Sequence, residues 1–354
     1  MPICKALYNQ VCVEIGGVYK PCCSYVGDSG ISVNDMTPNE FLKSDYIENI
    51  RKNMEGDLWD SGCVGCKVRS ESGLHTLKDT YDFYCKSDIG TFEMIEISVS
   101  NKCNNQCRMC DSRHSSLWQN TLGFGNSPKS YYDLQALMNN LDGSDIKVIK
   151  YLGGEPLITD EINQVFDFIK KNKENKISFY FNTNLSVPPE KYLSEFENIE
   201  KFVIGYSIDG VGATNEYIRD GSNWDTVVRN LDKWEKFFES RSDQSERYVH
   251  TVLQAYNYHD IENIYKFSSS YGLEHFTPPI IAPHEFTLNA LPKEYIEKYA
   301  TSRTAKYVDN HSYNASLYDK LVKTTIYHDK LFQKSINNFI PELYFLSKSN
   351  NDTP

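Results

Sequence analysis

The 354-residue sequence has no apolar run approaching the roughly 18 residues that a membrane-spanning helix needs. It has no block of Lys or Arg, and its net charge is −11. Phosphate binding needs a basic footprint, so composition argues against a nucleic-acid partner. The opening stretch, Met1-Pro-Ile-Cys4, lacks the basic and apolar regions of a signal peptide, which sets the expectation of a cytoplasmic protein. There is no internal repeat and no low-complexity segment; loops such as Ser242 to Glu246 are merely polar. With 40% hydrophobic and 24% charged residues the chain is not disordered. Its length suits one large domain and a small one.

What the sequence does have is ten cysteines. Without a signal peptide they point to metal binding in a reducing compartment rather than to disulfides. The tightest group is Cys103-Asn-Asn-Gln-Cys107-Arg-Met-Cys110, a C-x3-C-x2-C spacing. Three thiolates on one loop can hold three corners of a cubane iron–sulfur cluster. A fourth local cysteine is missing, since Asp111 and Ser112 follow. One iron is then left open for a small molecule, much as a catalytic zinc keeps an open position. A zinc site is the plain alternative, but C-x3-C with no C-x2-C pair nearby fits zinc spacing poorly. The preceding residues 92–100 carry Met94, Ile95, Ile97 and Val99, which suit a buried strand. The loop then stands at the C-terminal end of a strand, where α/β folds place their chemistry.

Residues 1–90 read as a separate cysteine-bearing unit with Cys4, Cys12, Cys22, Cys23, Cys63, Cys66 and Cys85. Residues 11–19 predict a hairpin about Gly16-Gly17, which would bring Cys4 and Cys22 to one end of the unit. Asn39 to Met54 has helical spacing, and Thr37-Pro38 suits its start. Cys63-Val-Gly-Cys66 follows. Two distant pairs of thiolates make a closed four-ligand site, which by thiolate count alone also permits a structural zinc ribbon.

After the cysteine loop, strands alternate with helices. Strands are expected over residues 147–152, 177–181, 202–207, 248–253 and 275–281, the last interrupted by Pro278-Pro279. Helices are expected over 161–171 and 224–238. With residues 94–100 this gives six βα units, parallel strands and right-handed crossovers. The strand ends carry Gly153-Gly154-Glu155-Pro156, Asn182-Thr183-Asn184 and Ser207-Ile-Asp209-Gly210, and Arg219 follows. Alone, Gly-Gly and Asp-Gly are turn signals, and Arg219 would be read as a surface ion pair with Asp220 or Glu216. From residue 284 onward the chain is helical and aromatic-rich, suited to closing the open side of a barrel or covering its pocket. The pair His284-Glu285 is a candidate substrate contact. The tail from residue 347 to 354 is polar and expected to be mobile.

In combination and in this order, the cysteine loop, the Gly-Gly-Glu-Pro segment, the Ser-x-Asp-Gly segment and Arg219 resemble those of radical S-adenosylmethionine (SAM) enzymes. The resemblance covers residues 1 to about 282. It implies a partial (β/α)6 barrel over 91–283, preceded by the small unit at 1–90 and followed by a helical extension at 284–354. It implies a [4Fe-4S] cluster on Cys103, Cys107 and Cys110, and SAM held by Met109, Gly153, Gly154, Glu155, Asn184, Ser207, Asp209 and Arg219. Met109 departs from the aromatic residue usual before the last cysteine. In such enzymes one electron from the cluster splits SAM into methionine and a 5′-deoxyadenosyl radical, which takes a hydrogen atom from the substrate.

The N-terminal unit resembles the twitch or SPASM extension of the same enzymes, with Cys4, the ending Gly17-Val-Tyr-Lys-Pro-Cys22, and Cys63 with Cys66. The resemblance implies a second, auxiliary [4Fe-4S] cluster on Cys4, Cys22, Cys63 and Cys66. Two departures stand out: the unit precedes the barrel rather than following it, and Cys23 is an alternative to Cys22. The implied reaction is an oxidation of a small molecule or peptide, fed by an external one-electron donor such as a flavodoxin or ferredoxin. Epimerisation or peptide modification is the alternative within the family, and a zinc-binding scaffold the alternative outside it. No leader-peptide-binding domain is visible before the cluster units. A redox role for the auxiliary cluster expects its four cysteines on the side of the barrel that carries Cys103 and Glu155.

Overall fold

Ten strands organise the described residues: β1 (Gln10–Val13), β2 (Tyr19–Lys20), β3 (Met94–Ser98), β4 (Gln106–Cys107), β5 (Val148–Leu152), β6 (Ser178–Thr183), β7 (Lys201–Ser207), β8 (Arg219–Asp220), β9 (Glu246–His250) and β10 (Glu274–Phe276). They come from a computed structural model that describes residues 4–55, 58–71, 73, 75–125, 131–141, 145–241 and 245–347. Residues 242–244 and most of the polar tail lie outside the described residues.

Eight strands form one open sheet in the order β10-β9-β7-β6-β5-β3-β1-β2, while β4 and β8 form a separate ribbon. Every neighbour in the large sheet is parallel except β1 with β2. The six strands expected after residue 90 are present and parallel. The last two are shorter than expected, because β9 ends at His250 and β10 at Phe276, before Pro278-Pro279 removes two ladder donors.

The N-terminal hairpin forms as expected, with Cys12 opposite Lys20 and Val13 opposite Tyr19. It does not stand apart, however. β1 pairs in parallel with β3, from Gln10 opposite Met94 to Val13 opposite Ile97. All four residues of β1 are buried. A strand of Val and Cys with two fully covered faces gains more as a sheet member than as half of an isolated hairpin.

The single helix expected over 39–54 is two, Pro38–Leu42 and Asp45–Asn53. Thr37 and Glu40 form a capping box on the first. Ser44 caps the second, and its hydroxyl donates to the Phe41 carbonyl at 2.7 Å. That local side-chain bond competes with a continuous helix. The helices Ile162–Lys171 and Trp224–Glu239 match expectation. Their Val165, Phe166, Leu231 and Trp234 share one core with Ile95, Ile97, Ile149, Phe179 and Phe181 of the sheet. The pleat therefore sends Cys12, Glu96, Lys150 and Tyr180 to the other face, in one row across β1, β3, β5 and β6.

The C-terminal segment contains the helices Lys293–Lys298, Ala305–Asp309, Ala315–Phe332 and Ile336–Phe339. The longest packs beside Tyr256, whose hydroxyl lies 2.8 Å from Thr325 Oγ1.

Candidate functional site

A cavity of about 1060 Å³ opens at the C-terminal ends of the strands and is lined by Cys103, Cys107 and Cys110. The loop between them is held at several points. The Ser115 hydroxyl donates to the Asn105 carbonyl at 2.8 Å, and Trp118 Nε1 donates to the Cys107 carbonyl at 2.9 Å. Ribbon β4–β8 sets Cys107 directly opposite Arg219. The ribbon has no counterpart in the sequence pattern, since two-residue strands carry no periodicity. Burial raises all three thiols, Cys110 to about 12, while the Arg219 guanidinium opposes the shift at Cys107. Metal ions displace such protons, so cluster assembly here would release acid.

The Gly-Gly-Glu segment ends β5 against the start of this loop. Gly154 N donates to Ser100 O at 3.2 Å and Glu155 N to Lys102 O at 2.9 Å. A Cβ on Gly154 would collide with the carbonyls of Asn101 and Lys102. The glycine thus permits a close approach of two backbones, one of them the cysteine loop, rather than of backbone and ligand alone. Glu155 also lines the cavity. Its carboxylate accepts from Asn184 N at 2.7 Å, Thr183 Oγ1 at 2.8 Å and Leu157 N at 3.3 Å. Burial outweighs these donors and pushes Glu155 up to about 7. Met109, Gly153, Asn184 and Ser207 share the cavity wall. Asn184 Nδ2 donates to Asn104 Oδ1 at 2.9 Å, tying β6 to the cysteine loop.

Arg219 lies between Asp209 and the loop, not at the surface. Its Nη2 stands 2.7 Å from Asp209 Oδ2 and its Nη1 4.0 Å from Cys107 Sγ. Asp209 is fully buried and does not line the cavity; it holds Arg219 from behind and accepts Val252 N at 2.8 Å. Asp220 pairs instead with Lys334, at 2.7 Å. Asn105 and Asn182 also line the cavity, each with a buried side-chain oxygen that has no partner among the described residues. Such acceptors suit the N–H groups of a bound ligand.

Residues 97–268 match the Radical SAM superfamily. This segment is a radical SAM domain. No curated protein matches the chain. Among solved structures it is similar to native anSMEcpe with bound AdoMet, at 17% identity over 69% of this chain and 67% of that one, with a TM-score of 0.44. It is similar to Streptococcus suis SuiB, at 14% identity over 79% and 61%, TM-score 0.38. The same comparison with SuiB bound to precursor peptide SuiA gives 13% over 83% and 59%, TM-score 0.39. The chain thus spans about three fifths to two thirds of the length of these proteins.

Below the cavity of the radical SAM domain lies the second cysteine group. Cys4 neighbours Cys22 and Cys66, and Cys63 neighbours Cys4 and Cys66. Burial holds the Cys4 and Cys63 thiols up at about 12. Cys4 and Cys22 pack against a small core of Ala6, Tyr81, Cys85, Met94 and Val148, the last two being the first residues of β3 and β5. These two thiols therefore lie toward the N-terminal ends of these strands, opposite the end that carries Cys103. This corrects the expectation of a position at the barrel mouth. The cause is the β1–β3 pairing, which seats the N-terminal unit along the inner face of the sheet. Among the described residues, no three His, Cys, Asp or Glu side chains converge on a point that could hold a single metal ion.

Cys22 has Cys23, Glu96 and Cys4 as its charged neighbours, and of the two adjacent cysteines only Cys23 lines the cavity, together with Cys12. Cys23 belongs to a buried polar network missed by the sequence reading. Lys150 Nζ donates to Glu96 Oε1 at 2.7 Å and lies 3.9 Å from Cys23 Sγ, while Tyr81 OH donates to Glu96 Oε2 at 2.9 Å. Burial would lower the Lys150 pKa, but Cys23 and Glu96 together hold it well above its ordinary value. The only sequence signal was one Glu and one Lys inside otherwise apolar strands. His284 and Glu285 do not line the cavity, although Ala282 and Pro283 do. Beyond Pro283 no described residue lines it, so the C-terminal helices do not cover the pocket.

Proposed function

We propose that the protein is a radical SAM enzyme that oxidises a small-molecule or peptide substrate. A [4Fe-4S] cluster would sit on Cys103, Cys107 and Cys110, and an auxiliary one on Cys4, Cys22, Cys63 and Cys66. The observation that carries the reading is one cavity shared by the three loop cysteines, Gly153, Gly154, Glu155, Asn184, Ser207 and Arg219. When bound and reduced, the loop cluster supplies the electron that cleaves SAM and starts hydrogen abstraction.

The chain's own residues do the positioning. Glu155 offers a buried carboxylate to the ammonium of SAM. Arg219 sets a fixed positive charge beside Cys107 and can meet the SAM carboxylate. Asp209, outside the cavity lining, holds Arg219 in place. Cys4 and Cys22 lie at the strand ends opposite Cys103, so the second cluster takes a stabilising role in the N-terminal unit, and an external flavodoxin- or ferredoxin-type carrier supplies and removes the electrons.

Anaerobic reconstitution followed by iron, sulfide and zinc analysis tests the metal reading. About eight irons per chain are expected, and about half remain after Cys103, Cys107 and Cys110 are changed together to Ala. Zinc at both sites would sink the proposal in favour of a scaffold. Reduced enzyme given SAM is expected to release 5′-deoxyadenosine. Cys63→Ala with Cys66→Ala is expected to keep that release and to lower folding stability; lost product with unchanged stability would instead give the second cluster a redox role.

A second reading, epimerisation, is favoured by Cys12 and Cys23 on the cavity wall. There a thiol would return a hydrogen atom to the substrate carbon radical. The resulting thiyl would be restored by one electron from the external donor and one proton. Product formed in D2O would carry deuterium at that carbon under this reading and not under oxidation.

A further inference from the structure

Arg108 lies between two of the loop cysteines and is almost wholly buried. Its backbone N donates to Ile218 O at 2.8 Å and its Nε to Tyr217 O at 2.8 Å. Its Nη2 donates to Asp329 Oδ1 at 2.9 Å. The guanidinium stacks 3.6 Å above the Tyr217 ring and 5.2 Å from that of Phe332.

Asp329 is the other centre of this knot. Its Oδ1 also accepts Tyr217 OH at 2.8 Å, and its Oδ2 accepts Ile336 N at 2.8 Å. It sits near the end of helix Ala315–Phe332, whose His328 and Phe332 rings lie 5.1 and 5.5 Å from Trp118. Trp118 in turn holds the Cys107 carbonyl. One turn of the C-terminal helix therefore grips the cysteine loop twice, through Arg108 and through Trp118.

We propose that Asp329 is a positioning residue for the cysteine loop, so that docking of helix Ala315–Phe332 and cluster loading at Cys103, Cys107 and Cys110 are coupled. The proposal rests on the radical SAM reading of that loop. A buried guanidinium without its carboxylate must find another partner or leave the core, and here leaving means moving the segment between Cys107 and Cys110. Coupling of this kind is reciprocal: whatever fixes the loop fixes the helix, and the reverse. Removing an outer partner of a metal site typically weakens metal retention about 10–100-fold.

The test uses the full chain under anaerobic conditions, metal-free and reconstituted with iron and sulfide. Hydrogen exchange over residues 315–332 is expected to slow on reconstitution of the wild type. Asp329→Asn is expected to lose that increment, to release loop iron to a chelator about 10–100-fold faster, and to alter the electron paramagnetic resonance signal of the reduced loop cluster. Asp329→Glu is expected to restore all three. Failure of the wild type to take up iron overturns the radical SAM reading and this coupling with it. Iron uptake with unchanged exchange over 315–332 overturns the coupling alone, and that comparison needs no variant to fold. An Asp329→Asn protein that holds its iron and keeps the parent spectrum overturns it as well.

Discussion

Glu155 shows how burial sets the working range of a single carboxyl. Unfolded, it ionises near its ordinary value of 4.5; folded and without ligand, only near 7. Between those pH values the folded chain binds more protons than the unfolded one, so stability falls as pH rises, by about 3 kcal/mol at most. An ammonium ligand needs the ionised form. SAM affinity is therefore expected to tighten as pH rises from 6 to 8, and Glu155→Gln should flatten the profile in anaerobic equilibrium dialysis. A parent profile without slope would show that no cation meets this carboxylate. The Lys150–Glu96 pair obeys the opposite logic, since both members are buried and both charged. Lys150→Ala strands Glu96 and is expected to cost about 3–5 kcal/mol in urea unfolding. Lys150→Met with Glu96→Leu should recover most of that loss. Neither residue could be placed from sequence, because a buried ion pair is defined by strand register and not by local pattern.

Elements with a period were legible, and those without one were not. The helices Ile162–Lys171 and Trp224–Glu239 and the strands β3, β5, β6 and β7 carry unbroken apolar spacing, and their expected bounds hold within a few residues. The cysteine loop and the Gly-Gly-Glu segment were visible as motifs, because spacing along the chain is their signature. The β4–β8 ribbon was invisible, although it fixes Arg219 against Cys107. At its end Gly221 has φ +93°, and a Cβ there would stand 2.7 Å from Asn104 O. Gly221→Ala therefore meets both strain and a clash with the cysteine loop. It is expected to weaken iron retention at the loop while leaving the Cys4, Cys22, Cys63 and Cys66 group loaded. Equal loss at both groups would point to general destabilisation instead.

At the scale of the whole molecule, the boundary near residue 90 does not separate two independent bodies. β1 continues the eight-stranded open sheet, and Tyr84 OH donates across it to Glu246 at 3.0 Å. A chain starting at residue 91 would lose the strand that covers β3 and leave a buried edge of Met94, Ile95 and Ile97 bare. Such edges pair with other copies. This shortened chain is expected to elute as aggregates in size-exclusion chromatography where the full chain does not; a monodisperse fragment would show that β1 is dispensable. The sequence suggested separate units because cysteine content changes sharply near residue 90, whereas strand pairing across that boundary leaves no mark in composition.

The pairing of β1 with β3 also imposes an order of events during synthesis. β1 ends at Val13 and its partner begins at Met94, so residues 14–93 must be made between them. At roughly 5–20 residues per second, that is a wait of about 4–16 s. For that interval the apolar face of the hairpin has no sheet to join, and five of the ten cysteines follow it out before Met94 appears. Strand β1 thus takes its place in the sheet only after β3, made about eighty residues later, has appeared.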